Sequence, residues 1–140
     1  MRIALVSCVK QKLDHPAPAR DLYTSLLFRG LRHHAEANSD SWFILSAEHG
    51  LLHPDTIVAP YERTLNLMAA TDRSMWASRV LEQLGKLAPA PTSILMLAGL
   101  RYRERLVPVL LARGISVDIP LAGLRLGQQL QWLKRSNGIV

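Results

Sequence analysis

A serine, a glutamate, two histidines and an aspartate share one short stretch, Ser46-Ala47-Glu48-His49-Gly50-Leu51-Leu52-His53-Pro54-Asp55, directly after the apolar run Trp42-Phe43-Ile44-Leu45. In a water-poor cleft, Glu48 could act as a general base toward water, or stabilise the cation that develops at a sugar carbon when an N-glycosidic bond breaks. His49 beside it could polarise a base carbonyl or hold a phosphate. Neighbours in an extended segment point to opposite sides, so both reach one pocket only if the chain turns irregularly at Gly50. The alternative is structural, with Glu48 paired to an arginine and His49 hydrogen-bonded inside a packed loop. His49, His53 and Asp55 are of metal-ligating types, but their spacing matches no zinc pattern and no metal is expected.

A second apolar run, Arg2 to Val6, ends in Ser7-Cys8-Val9-Lys10-Gln11-Lys12. Ser7, Lys10 and Lys12 beside free backbone N–H groups could cradle a phosphate or carboxylate. Solvated surface lysines are the competing reading. The glycines of the dinucleotide and P-loop motifs are missing, so no cofactor held by those devices is expected. Cys8 could be a nucleophile if a histidine and a cationic setting lowered its pKa, although free cysteines are most often buried and inert. In Arg20-Asp21-Leu22-Tyr23-Thr24-Ser25, Arg20 and the hydroxyls could hold an anion at a helix start, and Tyr23 and Ser46 join the candidate binding set. Tyr61, in Pro60-Tyr61-Glu62-Arg63, could stack a base or simply plug its loop. After Gly99, the residues Arg101, Tyr102, Arg103 and Arg105 form the densest basic and aromatic cluster, suited to a phosphate or to a solvated helix face.

These residues need elements to position them. The continuous aliphatic character of residues 2–6 is what a strand covered on both faces requires. His15-Pro16-Ala17-Pro18 is a loop, because each proline fixes φ and restricts its predecessor. Apolar spacing of three and four at Leu22, Leu26, Leu27, Leu31 and Ala35 predicts one helix from about Asp21 to Glu36, with Asp21 near its positive end. Trp42 to Ser46 is the second strand. Residues 48–68 hold Gly50, Pro54 and Pro60 with little periodicity, a long connection of the functional kind. Thr71-Asp72 offers a cap for a helix with Met75, Trp76, Val80, Leu81 and Leu84 on one side and a stop at Gly85. Thr92 to Ala98 is the third strand, with Gly99 turning the chain where a Cβ would crowd a ligand. Arg101 to Ala112 is helical, starting late or kinked at Pro108. Ile115 to Ile119 is the fourth strand, and the last helix turns Leu126, Leu130 and Leu133 inward with Lys134 and Arg135 near its end.

The alternation of strands and helices implies an α/β fold, a three-layer α/β/α arrangement around a mostly parallel sheet of about four strands. Strand ends then gather on one edge, with residues 7–12, 46–55, 99–103 and 120–125 forming a single site. One domain spanning residues 1–140, 49% hydrophobic, has enough apolar mass for a core. The formal net charge of +6 and a pI near 10.1 favour an anionic partner, nucleic acid or a nucleotide. A single cysteine allows no internal disulfide. Apolar runs are too short for a membrane span or a signal peptide's apolar core, so a cytoplasmic protein with no membrane partner is the expectation.

Four motifs, S-C-x-K-x-K at Ser7, A-R-D-L-Y-x-S at Ala19, L-S-A-x-x-G-L-L at Leu45 and P-Y at Pro60, resemble a small bacterial and phage domain family of unknown function. More distantly, the first strand end and the Ser46 loop are similar to YaaA peroxide-stress proteins and to archaeosine synthases, which have a uracil-DNA-glycosylase-like α/β architecture. That resemblance implies a pocket for a nucleobase or nucleotide. The chain lacks the water-activating motif and the intercalation loop of true uracil glycosylases. The combined expectation is an N-glycosidase-like or base-modifying enzyme: Glu48 and His49 move protons, Lys10, Lys12, Arg20 and Arg101 hold phosphate, and Tyr61 stacks the base. The alternative is a non-catalytic nucleic-acid-binding module on the same basic edge.

Overall fold

A computed structural model describes residues 1–7 and 11–138. Among these, strand β1 (Arg2–Ser7) lies at the centre of a five-stranded sheet. On one side it pairs in parallel with β3 (Ser41–Ser46), and on the other with β6 (Ser93–Leu97). Beyond β6 runs β7 (Ser116–Asp118), also parallel. Ile3, Ala4, Leu5 and Val6 are fully buried, so successive side chains are covered on both faces, as the unbroken aliphatic run requires. The architecture is α/β, with one strand more than expected. The addition is β4 (Gly50–Leu52), which folds straight back on β3 as an antiparallel edge with Ser46 opposite Gly50. Three residues and a proline soon afterwards give too weak a pattern to read as a strand.

The predicted helix over 21–36 is two helices, α1 (Ala19–Leu22) and α2 (Leu26–Asn38). Between them Tyr23 is extended and bridges to Lys12, while the Ser25 hydroxyl caps α2 by accepting from the Phe28 N–H at 3.1 Å. A local serine cap plus a non-local backbone bridge outweighs continuous helical periodicity. Residues 48–68 are also more ordered than expected. Besides β4 they contain β5 (Ile57–Val58), paired antiparallel with β2 (Ala17–Pro18), and a 3-10 turn at Leu65–Leu67.

Helix α3 (Ala70–Gly85) packs beside β4 and buries Trp76, Ala77, Val80, Leu81 and Leu84. Its cap is Ala69 rather than Thr71, and Met75, expected inward, is 71% exposed. The segment after β6 forms α4 (Leu100–Arg103) and α5 (Val107–Ala112), with Pro108 in the first turn of α5, where its missing N–H costs nothing. Helix α6 (Leu126–Ser136) packs on α2 through buried Leu133, whereas Leu126 faces outward. No helix among the described residues is long and apolar enough to cross a membrane.

Candidate functional site

The chain leaves β1 toward β3 on one side, and later returns to place β6 on the other. The carboxyl ends of β1 and β6 therefore flank the switch point of the sheet, where loops diverge and leave a crevice. A cleft of about 350 Å³ opens there. Ser7 and Gly99 line it, and the Gly99 N–H donates to the Ser7 hydroxyl at 3.3 Å, tying the two strand ends together. A Cβ on Gly99 would meet open space, and its φ of −65° is ordinary, so the expected need for glycine is not a steric one. Leu31, Leu97 and Leu121 give apolar wall; Asn66 and Gln129 supply amides. Arg101, half exposed, stands at the rim and meets Glu104 at 3.5 Å. The neighbouring Arg103 is committed to the Ala98 carbonyl at 2.8 Å.

A second group of expected residues converges at the end of β3. The Tyr61 hydroxyl lies 2.6 Å from that of Tyr23 and 2.7 Å from that of Ser46. Two backbone devices produce this convergence. The Lys12–Tyr23 bridge holds the segment after β1 against the chain leaving α1, and the β2–β5 pair carries residues 53–61 back to the same place. Lys12 Nζ then sits 4.7 Å from the Tyr61 ring centre and 5.7 Å from that of Tyr23, cation–π distances. Ser46 is fully buried, accepts the His49 N–H on its side chain at 3.1 Å and takes the Trp76 indole N–H on its carbonyl at 2.9 Å. The His49 ring meets the Tyr61 ring edge-on at 5.6 Å.

The turn over residues 47–49 sends Glu48 and His49 in different directions. His49 faces Tyr61, while Glu48 is exposed, with Arg63 at 4.0 Å and the Arg79 guanidinium donating to its backbone carbonyl. The Gly50 turn has φ +74°, but it does not bring Glu48 and His49 into one pocket as expected. Arg20 is drawn to Asp55 and Asp21 rather than to either group. His53 packs edge-on to Phe43 and lies near Asp55, away from His49's place against Tyr61. Among the described residues, no group of three or more His, Cys, Asp or Glu is arranged to hold a metal. Cys8 and Lys10 lie outside the described residues.

The four segments expected on one edge do meet there, but as two features rather than one: the hydroxyl cluster of Lys12, Tyr23, Ser46, His49 and Tyr61, and the cleft of Ser7, Gly99 and Arg101. Sequence reading did not mark Asn66 or Gln129 as cleft residues and placed Trp76 only in the apolar stripe of its helix, because a lone amide or indole on a helix or turn carries no chemical motif.

Comparison with known proteins agrees with the motif reading. The chain is 28% identical over 144 residues to the uncharacterized protein YfjM of Bacillus subtilis (strain 168), covering 96% of this chain and 94% of that protein. No solved structure matches it. The family model matching residues 3–135 spans every element of the fold, and the chain belongs to DUF6884, a family of unknown function.

Proposed function

We propose that this protein binds a nucleobase-containing ligand in the switch-point cleft and acts on it as an N-glycosidase-like or base-modifying enzyme. The observation that carries the reading is the cleft itself. Its volume, about 350 Å³, suits a ligand of nucleobase to nucleoside size. Apolar walls at Leu31, Leu97 and Leu121 would cover the faces of a planar base, and the Asn66 and Gln129 amides can each donate and accept at its edge. Arg101 at the rim, on a chain of net charge +6, suits a phosphate. Arg20, engaged by two aspartates, is not carried forward into that role. His49 and the hydroxyl cluster supply groups able to move protons, with Glu48 at the outer edge of the same loop.

The test is a thermal-shift screen with free bases, nucleosides, nucleotides and short single- and double-stranded oligonucleotides, since a ligand that binds only the native state raises its apparent stability. A base-specific shift that Arg101→Ala weakens for nucleotides but not for free bases supports the pocket. Turnover lost in Glu48→Gln with binding retained supports catalysis. One observation favours the second reading, a non-catalytic nucleic-acid-binding module: Glu48 is exposed and paired with Arg63, unlike a carboxylate in a dry cleft. Shifts confined to long polyanions and fading with salt would establish that module instead.

A further inference from the structure

We propose that Tyr61 is a proton-transfer residue whose phenol is acidified by its surroundings, and not only an aromatic surface for stacking. The proposal deepens the reading of this sheet edge as a ligand-handling site. Of the three clustered hydroxyls, those of Ser46 and Tyr23 belong to side chains that are 0% and 2% exposed, while Tyr61 is half-buried and is the one a ligand can reach. If Tyr61 ionises, the same contacts at 2.6 and 2.7 Å become two O–H donors to a phenolate oxygen, the charge-assisted arrangement that is shorter and stronger than its neutral counterpart. Ser46 is free to donate in this way, because its oxygen already takes the His49 backbone N–H as acceptor. The Lys12 ammonium over the ring adds an opposite charge that favours the ionised form.

Among the described residues, the titratable and charged groups set against Tyr61 include Lys12 from the segment after β1, Tyr23 from the end of α1 and His49 from the turn after β3. Of these, Lys12 lies over the ring and Tyr23 touches the hydroxyl. For a base held against the Tyr61 hydroxyl, N-glycosidic cleavage balances on Tyr61. The phenolic O–H breaks as an N–H forms on the departing base, and the C–N electrons leave with the base. Water then bonds to the sugar carbon, and its surplus proton restores the phenol.

The chain has three tyrosines, so their ionisation can be followed by phenolate absorbance near 295 nm over the pH range in which far-ultraviolet circular dichroism is constant. No ligand is required, so the result is independent of whether the nucleobase reading is right. The expected result is one phenol ionising at least about one pH unit below the ordinary value of about 10, absent in Tyr61→Phe and moved upward in Lys12→Met, which leaves all three hydroxyls in place. Three phenols ionising together at or above about 10, or an early phenol that survives Tyr61→Phe, would overturn the proposal. An early phenol unmoved by Lys12→Met would overturn the part assigned to Lys12.

Discussion

Replacing Gly50 with alanine tests how the hairpin that carries His49 is held. Gly50 has φ +74°, and a Cβ built there comes 2.5 Å from Gln83 Oε1, closer than real contacts allow. That oxygen accepts the Leu51 N–H at 2.8 Å, pinning edge strand β4 to helix α3. An alanine must therefore adopt the left-handed region, at about 1–2 kcal/mol. It must also push the flexible Gln83 amide aside, and the lost hydrogen bond costs about 1 kcal/mol more. The expected destabilisation is about 2–3 kcal/mol, a fall in Tm on the order of 10 °C for a domain of this size. Gln83→Ala alone should cost about 1 kcal/mol. The double variant should be no worse than Gly50→Ala, because both single changes break the same bond. Urea denaturation of the four proteins closes the cycle, with a coupling of about 1 kcal/mol expected. Strict additivity, or a Gly50→Ala variant within about 0.5 kcal/mol of wild type, would refute the reasoning.

Other outcomes follow from single contacts. Trp76→Phe removes the indole donor from the buried Ser46 carbonyl and should lower stability by about 2 kcal/mol, read as a shifted denaturant midpoint with an unchanged slope. His34 is buried and held below its ordinary pKa, first by burial and then by the charge of Arg2, with Asp118 opposing. A histidine depressed in the folded state keeps its full stability above the unfolded value of about 6.5 and loses it as pH falls toward the folded pKa. Thermal stability should therefore drop on acidification below about pH 6.5, and His34→Gln should flatten that part of the profile. Arg101→Ala should leave the fold's stability within about 0.5 kcal/mol while reducing nucleotide-induced thermal shifts, because Arg101 stands half exposed at the cleft rim.

Much of the frame was legible in the chain. Residues 3–6, 42–45 and 94–97 are unbroken apolar runs, and a strand buried on both faces can be made of little else. The helices of 70–85 and 126–136 followed from periodicity, though Met75 and Leu126 show that a stripe says which residues can face inward and not where the neighbouring layer ends. The break at Tyr23–Ser25 was not legible, because it depends on Lys12, eleven residues away, offering its backbone to Tyr23. An irregular turn at Gly50 was legible, although it parts Glu48 and His49 instead of bringing them to one pocket. Its steric relation to Gln83 was not.

By itself, the order of apolar runs and breakers determined an α/β sheet and which loops follow the carboxyl ends of its strands, since burial and backbone restriction act locally along the chain. Tertiary structure alone decided how those loops divide. Strand order opened the cleft between β1 and β6, and the β2–β5 and Lys12–Tyr23 pairings drew Tyr61 to Ser46. Hydrogen bonds between residues far apart in sequence set those distances, and no local pattern encodes such partners.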